Sequence, residues 1–272
     1  MALSGKATPE QATDRTTEHI TMPNGVLSQL ISMSRALGDP ARDLVILGEG
    51  NSSARADAET FWVKASGSSM QGIDRQGFVR MRFEPVLTML EGKGLSDEQV
   101  KQGLIAAKSD PTAAEHPSIE TMLHALALNL PGVSFVGHTH PVAVNAILCS
   151  RGAEEAVQGR IFPEEVTFCG PAPAYVRYAD PGLPLAHSVR EALTRYQAEW
   201  GGPPKVILMQ NHGLIALGRT AAEVEAITAM YVKTARVLLG TYALGGPHYM
   251  SERDVRRMHT RPDEARRIRK LT

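Results

Sequence analysis

The sequence predicts an α/β domain. Two short apolar runs, Val133–Val136 and Val206–Gln210, are rich in β-branched residues, have strand length and are bounded by turn residues. Segments with apolar residues at helical spacing surround them, at 24–37, 185–200 and 220–239. The composition agrees, since 272 residues with 43% hydrophobic and 21% charged content describe a globular chain with room for a generous core.

Taken in order, residues 1–22 are polar and of mixed charge, a loose leader with no apolar core of signal-peptide length. Asn24 to Leu37 carries Leu27, Leu30, Ile31 and Leu37 on one face and stops at Gly38-Asp39-Pro40, which predicts an amphipathic helix. Gly48 to Arg55 is turn-rich and lies between apolar Leu44–Leu47 and a strand at Phe61–Lys64. Two readings stand for it, a hairpin loop and a cradle of backbone N–H groups for an anion. The next loop, Lys64-Ala65-Ser66-Gly67-Ser68-Ser69, has the same two readings, an ordinary turn or a phosphate loop. Gly77–Phe83 predicts a strand and Asp97–Ala107 a surface helix, with Lys101 and Lys108 solvated.

Pro117-Ser118-Ile119-Glu120 opens a helix reaching about Asn129, with Ser118 placed to cap it and Glu120 in the first turn. His124 follows one turn later on the same face as Glu120. This pair reads either as a site or as a capped helix with a stray histidine. Val133–Val136 then runs into Gly137-His138-Thr139-His140-Pro141, where two imidazoles two residues apart project from one face of a strand. One metal ion can touch both, although a His-x-His pair is also an ordinary polar strand edge. Val142–Cys149 predicts a buried helix with Pro141 at its first position, and Pro163–Pro184 an irregular, proline-rich connection with at most one short strand.

Leu185–Trp200 is an amphipathic helix ended by Gly201-Gly202-Pro203-Pro204. Asn211-His212-Gly213 interrupts two apolar strands, Val206–Gln210 and Leu214–Leu217, where a histidine has no hydrophobic reason to be. Thr220–Leu239 is a long helix with Thr220 and Glu223 spaced for a capping box. Residues 23–250 therefore form the folded domain, and 251–272 a basic tail with eight Arg or Lys.

The charge is balanced, 29 basic against 29 acidic residues, so nothing in the global field points to nucleic acid or an anionic membrane. Cys149 and Cys169 are too few for a disulfide framework, there is no membrane-spanning apolar run, and the cytoplasm is the expected location.

The motifs Gly50-Asn51-Ser52, Lys64-Ala65-Ser66-Gly67, Pro-Ser-Ile-Glu ending at Glu120, His138-Thr139-His140-Pro141 and Asn211-His212-Gly213 occur in this order. Together they resemble the class II aldolase/adducin family over roughly residues 25–245. The resemblance implies a three-layer α/β/α sandwich around a mainly antiparallel sheet, and a homotetramer with sites at subunit interfaces. It implies a divalent metal, zinc above all with Mn2+, Fe2+ or Co2+ possible, on His138, His140 and His212. It makes Glu120 the acid/base and gives Asn51, Ser66, Gly67 and Ser118 to the phosphate site. It extends to the aldolase halves of fusions with a short-chain dehydrogenase, whose second half this chain is expected to be too short to hold.

The residues suit that chemistry. Three neutral imidazoles leave positions open on zinc for a hydroxy-ketone to chelate, the metal stabilises the enediolate of a retro-aldol step, and Glu120 moves the protons. The expected partner is a small sugar or keto-acid. Within the family the 4-epimerases carry an aspartate at the Glu120 position, so the glutamate leans toward an aldolase. A dehydratase of the methylthioribulose-phosphate kind is the alternative, and an adducin-like scaffold, which lacks the three histidines, is the non-enzymatic one. His124 supports the site, whereas His19, His187, His248 and His259 are expected at the surface. Ile119 departs from the family, where a second serine helps to hold phosphate.

Overall fold

In chain order the strands are β1 (Asn51–Arg55), β2 (Thr60–Lys64), β3 (Phe78–Arg82), β4 (Phe135–Thr139), β5 (Ala174–Val176), β6 (Val206–Met209) and β7 (Gly213–Gly218). They form one seven-stranded sheet in the order β3-β2-β1-β4-β7-β6-β5. Every pairing is antiparallel except β5 with β6. This computed structural model describes residues 25–92 and 94–272. The predicted leader, His19 and the helix start at Asn24 lie outside the described residues.

Helices cover both faces of the sheet, as the resemblance implied. The first half of the chain supplies α1 (Val26–Leu37), α2 (Phe83–Met89), α3 (Asp97–Ala106) and α4 (Thr121–Leu128). Then come α5 (Val142–Leu148), α6 (Ala153–Ala156), α7 (Pro163–Cys169) and α8 (Leu183–Trp200). The last are α9 (Ala221–Tyr242), α10 (Glu252–His259) and α11 (Pro262–Leu271). One core lies between the sheet and α2, α3, α4 and α8, with Phe61, Val63, Met81, Val136 and Ile215 from the strands. The other lies beneath α1, α5 and α9 and takes Ala54, Phe135, Leu208, Leu214 and Ala216. Neighbouring residues of each strand thus feed opposite cores, the period of two that a pleated sheet imposes. Among the described residues no helix is long and apolar enough to cross a membrane.

Several expectations need correction. Asn51–Arg55 is the buried strand β1 rather than part of a loop, and the turn is confined to the residues before it. Small polar residues hide this strand because Ser52 and Ser53 satisfy their hydroxyls internally, Ser52 against Ser34 at 2.6 Å and Ser53 against His124 at 2.7 Å. The stretch at Pro163 begins with a helix, for which Pro163 is a pre-set first residue and Gly170, at φ 84°, the stop. Pro141 sits one position before α5, in extended conformation. Residues 251–272 form α10 and α11, which pack near α7. Lys108 is buried, its ammonium donating to the carbonyl oxygens of Ala113 at 2.5 Å and Glu115 at 3.4 Å.

Candidate metal and catalytic site

Strand β4 delivers His138, His140 follows directly after its last residue, and the turn between β6 and β7 delivers His212. That turn is tight: Asn211 is left-handed at φ 55°, and the Asn145 side-chain amide donates to the His212 carbonyl at 3.0 Å. Gly213 makes room for the cluster, since a Cβ there would stand 2.6 Å from His140 Cδ2 and 2.6 Å from the Thr139 carbonyl. Gly50 does the same on the other side, where at φ 65° a Cβ would lie 2.6 Å from the His138 carbonyl.

His140 Nε2 lies 3.0 Å and His212 Nε2 3.3 Å from His138 Nε2. The three rings meet edge to face, with centroids 4.7, 5.0 and 5.2 Å apart. His138 is fully buried, and its Nδ1 is 3.0 Å from the Leu214 carbonyl oxygen. A carbonyl only accepts, so the proton is on Nδ1 and Nε2 presents a lone pair. Burial depresses the imidazoles of His138 and His140 to about 4, so both are neutral near pH 7. Glu49 Oε2 stands 3.7 Å from His140 Nδ1. This donor set fits one divalent cation: one ligand atom from each of the three histidines lies within 4.8 Å of the others.

Glu120 borders the cluster from the N-terminal edge of α4. Its Oε1 is 3.1 Å from His212 Nε2, and its Oε2 is 3.7 Å from His138 Nε2 and accepts from Asn51 Nδ2 at 2.5 Å. Burial raises the carboxyl, but His138, His212 and the Asn51 amide more than offset this and hold it below the usual carboxylate range. A negative carboxylate beside this imidazole cluster can take a proton from a substrate or return one. The helix begins at Thr121, later than the sequence suggested, and Ser118 Oγ accepts the Glu120 N–H at 3.3 Å rather than an N–H further on.

The residues assigned to an anion occupy two places. Asn51 is buried inside the site, its amide engaged by Glu120 on one side and His124 on the other. Ser66 and Gly67 are exposed in the loop after β2, and the Ser66 N–H donates to the His116 carbonyl at 2.8 Å, which sets this loop against the segment leading to Ser118. Ser66 lines a cavity of about 660 Å³ together with Lys101, His116, Pro117 and Ile119. Lys64 is buried, and donates to the Gly48 carbonyl at 3.3 Å and the Ser68 carbonyl at 2.5 Å, joining the two loops. Sequence reading missed Asn145 and Ser53. A polar residue in the apolar run at 142–149 was a signal for the first; the second gave none.

Residues 28–239 match the family model described as Class II Aldolase and Adducin N-terminal domain. A curated Bacillus subtilis (strain 168) relative, described as the uncharacterized oxidoreductase YuxG, is 28% identical over 208 residues, covering 74% of this chain and 27% of that protein. The chain thus spans about a quarter of that relative's length. The solved N-terminal class II aldolase domain of a conserved Thermoplasma acidophilum protein is similar at TM-score 0.63 and 23% identity, over 88% of this chain and 100% of that one. An L-fuculose 1-phosphate aldolase gives 0.64 at 16% identity, over 86% and 94% of the two chains. An aldolase II superfamily protein from Pseudomonas syringae gives 0.62 at 17%, over 93% of each. At these identities the structural likeness concerns the fold alone.

Proposed function

Because this chain belongs to the class II aldolase and adducin family, we propose that it is a metal-dependent aldolase that cleaves a hydroxy-keto compound, a sugar phosphate or a related keto-acid. The observation that carries the reading is the convergence of His138, His140 and His212 beside the Glu120 carboxylate. The three imidazoles would hold a divalent ion, zinc being the first choice for an all-nitrogen set. Such an ion supplies Lewis-acid stabilisation of the negative charge that appears on substrate oxygens when the carbon–carbon bond breaks.

Glu120 receives the proton of the hydroxyl that becomes a carbonyl and returns a proton to the carbon left behind. Asn51 orients that carboxylate. Ser66, Gly67 and Ser118 bind the anionic end of the substrate, from two segments that the Ser66 N–H to His116 carbonyl bond holds together. All three histidines are present, which argues against a scaffold. Ile46, Leu47 and Val142 are 61, 84 and 61% exposed close to Glu49 and His140 in sequence, apolar surface consistent with a homotetramer whose sites lie at subunit contacts.

The test is a cleavage screen of ketose phosphates and free keto-acids on metal-analysed protein, with sedimentation to read the assembly. About one divalent ion per chain and metal-dependent cleavage are expected. His212→Ala should lose the ion, and Glu120→Gln should keep it while losing roughly 10²–10⁴-fold in turnover. Full activity in metal-stripped protein, or in His212→Ala, would overturn the reading.

A further inference from the structure

A fully buried histidine stands behind the acid/base, outside the cation cluster. His124 lies on α4 one helical turn after Glu120, at 0% exposure among Met122, Leu123 and Ala125. Both ring nitrogens are engaged: Nδ1 is 2.7 Å from Ser53 Oγ, and Nε2 meets Asn51 Oδ1. Asn51 Nδ2 in turn donates to Glu120 Oε2 at 2.5 Å. We propose that His124 is a positioning residue for Glu120, acting through Asn51, a role that rests on the acid/base reading of Glu120.

The chemistry of the partners sets the direction of the chain. A carboxylate only accepts, so Asn51 must turn its NH₂ toward Glu120 and its carbonyl toward His124. His124 must then carry its proton on Nε2, which leaves Nδ1 as the acceptor for the Ser53 hydroxyl. All three bonds point the same way, from Ser53 through His124 and Asn51 to Glu120. The amide of Asn51 is too weak an acid and too weak a base to gain or give up a proton near pH 7, so the chain orients the carboxylate rather than conducting protons to it.

The fold makes the match possible. Asn51 and Ser53 are two residues apart on β1, about 6.6 Å along a strand, while Glu120 and His124 are four apart at the start of α4, about 6.0 Å along a helix. A strand pair and a helix pair of nearly equal spacing therefore face each other as two rungs. With Oε2 fixed by this chain, Oε1 is the oxygen left facing His212, 3.1 Å away. A histidine that merely fills the core would need none of this alignment.

The test uses the full-length, metal-loaded protein and has one arm that needs no substrate. Nitrogen-15 NMR of the histidine side chains should show His124 neutral and protonated on Nε2 at pH 7. A proton on Nδ1, or an imidazolium, overturns the proposal whatever the protein catalyses. In the kinetic arm His124→Asn keeps a group near Ser53 but no longer reaches Asn51, whereas the longer His124→Gln places an amide donor where Nε2 was. His124→Asn should lose about 10- to 100-fold in kcat with KM and metal content little changed, the usual cost of an outer partner, and His124→Gln should recover most of it. Equal losses in the two variants, or a loss confined to KM or metal content, overturn the proposal. Should His124→Asn not fold, Ser53→Ala replaces it, with a smaller kcat loss expected and an unchanged rate counting against the chain. A protein that cleaves no hydroxy-keto compound refutes the aldolase reading, and the tautomer then still decides the direction of the chain.

Discussion

His138 donates its Nδ1–H to the carbonyl oxygen of Leu214 at 3.0 Å, across the β4–β7 pairing in which Thr139 faces Leu214 and His138 faces Ile215. One main-chain acceptor on the neighbouring strand thereby decides which nitrogen of the central imidazole is free. The sheet register, rather than the histidine itself, decides which nitrogen faces the cluster.

Gly213, next to Leu214, is the tightest point of that register. Gly213→Ala would force a Cβ to within 2.6 Å of both His140 Cδ2 and the Thr139 carbonyl oxygen, backbone that cannot yield cheaply. Overpacking of this kind costs about 1–3 kcal/mol, and here it also pushes His140 away from its neighbours. We expect a modest fall in unfolding free energy and a large fall in bound divalent metal, read by chemical denaturation and elemental analysis. Wild-type metal content in a folded Gly213→Ala protein would show that the three rings are not held by this contact.

The pH dependence of stability isolates His124. Burial depresses its imidazole from 6.5 to about 4, with Glu120 opposing and Lys64 adding to the effect. The unfolded chain thus binds a proton more readily than the folded one, so the stabilising term is present above about 6.5 and is lost as pH falls through about 4. At about 1.4 kcal/mol per pH unit this amounts to about 3 kcal/mol. Urea melts of metal-free protein at pH 7, 5.5 and 4.5 should show wild type losing about 2 kcal/mol more than His124→Gln by pH 4.5, the remainder being lost at lower pH. Parallel curves for the two proteins would mean that the imidazole is not held neutral.

The strands were legible because β4, β6 and β7 are apolar enough to announce themselves, and the common face of His138 and His140 follows from the period of two. His212 was legible as a polar intrusion between two such strands. The partners were not. Asn51 and Glu120 are 69 residues apart, and His138 and Leu214 are 76 apart, and no local pattern marks either pair. The strand β1 was hidden by its serines, and the helix α7 by prolines that elsewhere mean loop. Lys108 looked like a surface charge, and the burial of Lys64 was hidden, because their partners are backbone carbonyls, which have no sequence signature.

Lys64 yields a prediction for the same reason. Its ammonium is buried, pulled below the usual lysine range by desolvation with Glu120 opposing, and it bridges Gly48 and Ser68. Lys64→Met leaves both carbonyls without that donor, at about 1–3 kcal/mol for each buried polar group left unpaired. The expected signature is lower stability together with faster hydrogen exchange in residues 48–50 and 66–69. If instead stability and exchange are unchanged and only KM for an anionic substrate rises, Lys64 is an anion ligand and not a clamp.

Ile119 is the place to ask what the substrate carries at its far end. It is 37% exposed and shares the wall of the cavity of about 660 Å³ with Ser66, Lys101 and His116. Its side chain offers no donor at a position that the phosphate-binding pattern fills with serine. Ser118, whose oxygen accepts the Glu120 N–H at 3.3 Å, keeps its own hydroxyl proton for a ligand, and Ser66 is exposed beside it. A phosphate placed here would meet donors from Ser66 and Ser118, an apolar wall at Ile119, and the carboxylates of Asp97 and Glu98, which also line the cavity. One hydrogen bond to a charged group is worth about 1.5–3 kcal/mol, roughly a factor of ten to a hundred in binding. Ile119→Ser should therefore raise kcat/KM for a phosphorylated substrate by about tenfold over its unphosphorylated counterpart, and Ser66→Ala should lower that ratio. A matched pair of substrates assayed on wild type and both variants reads the result directly. If Ile119→Ser leaves the ratio unchanged while Ser66→Ala lowers it, the phosphate sits on the Ser66 loop alone. If neither variant moves it, the anion binds away from this cavity, and the arginines of α10 and α11 become the next group to test.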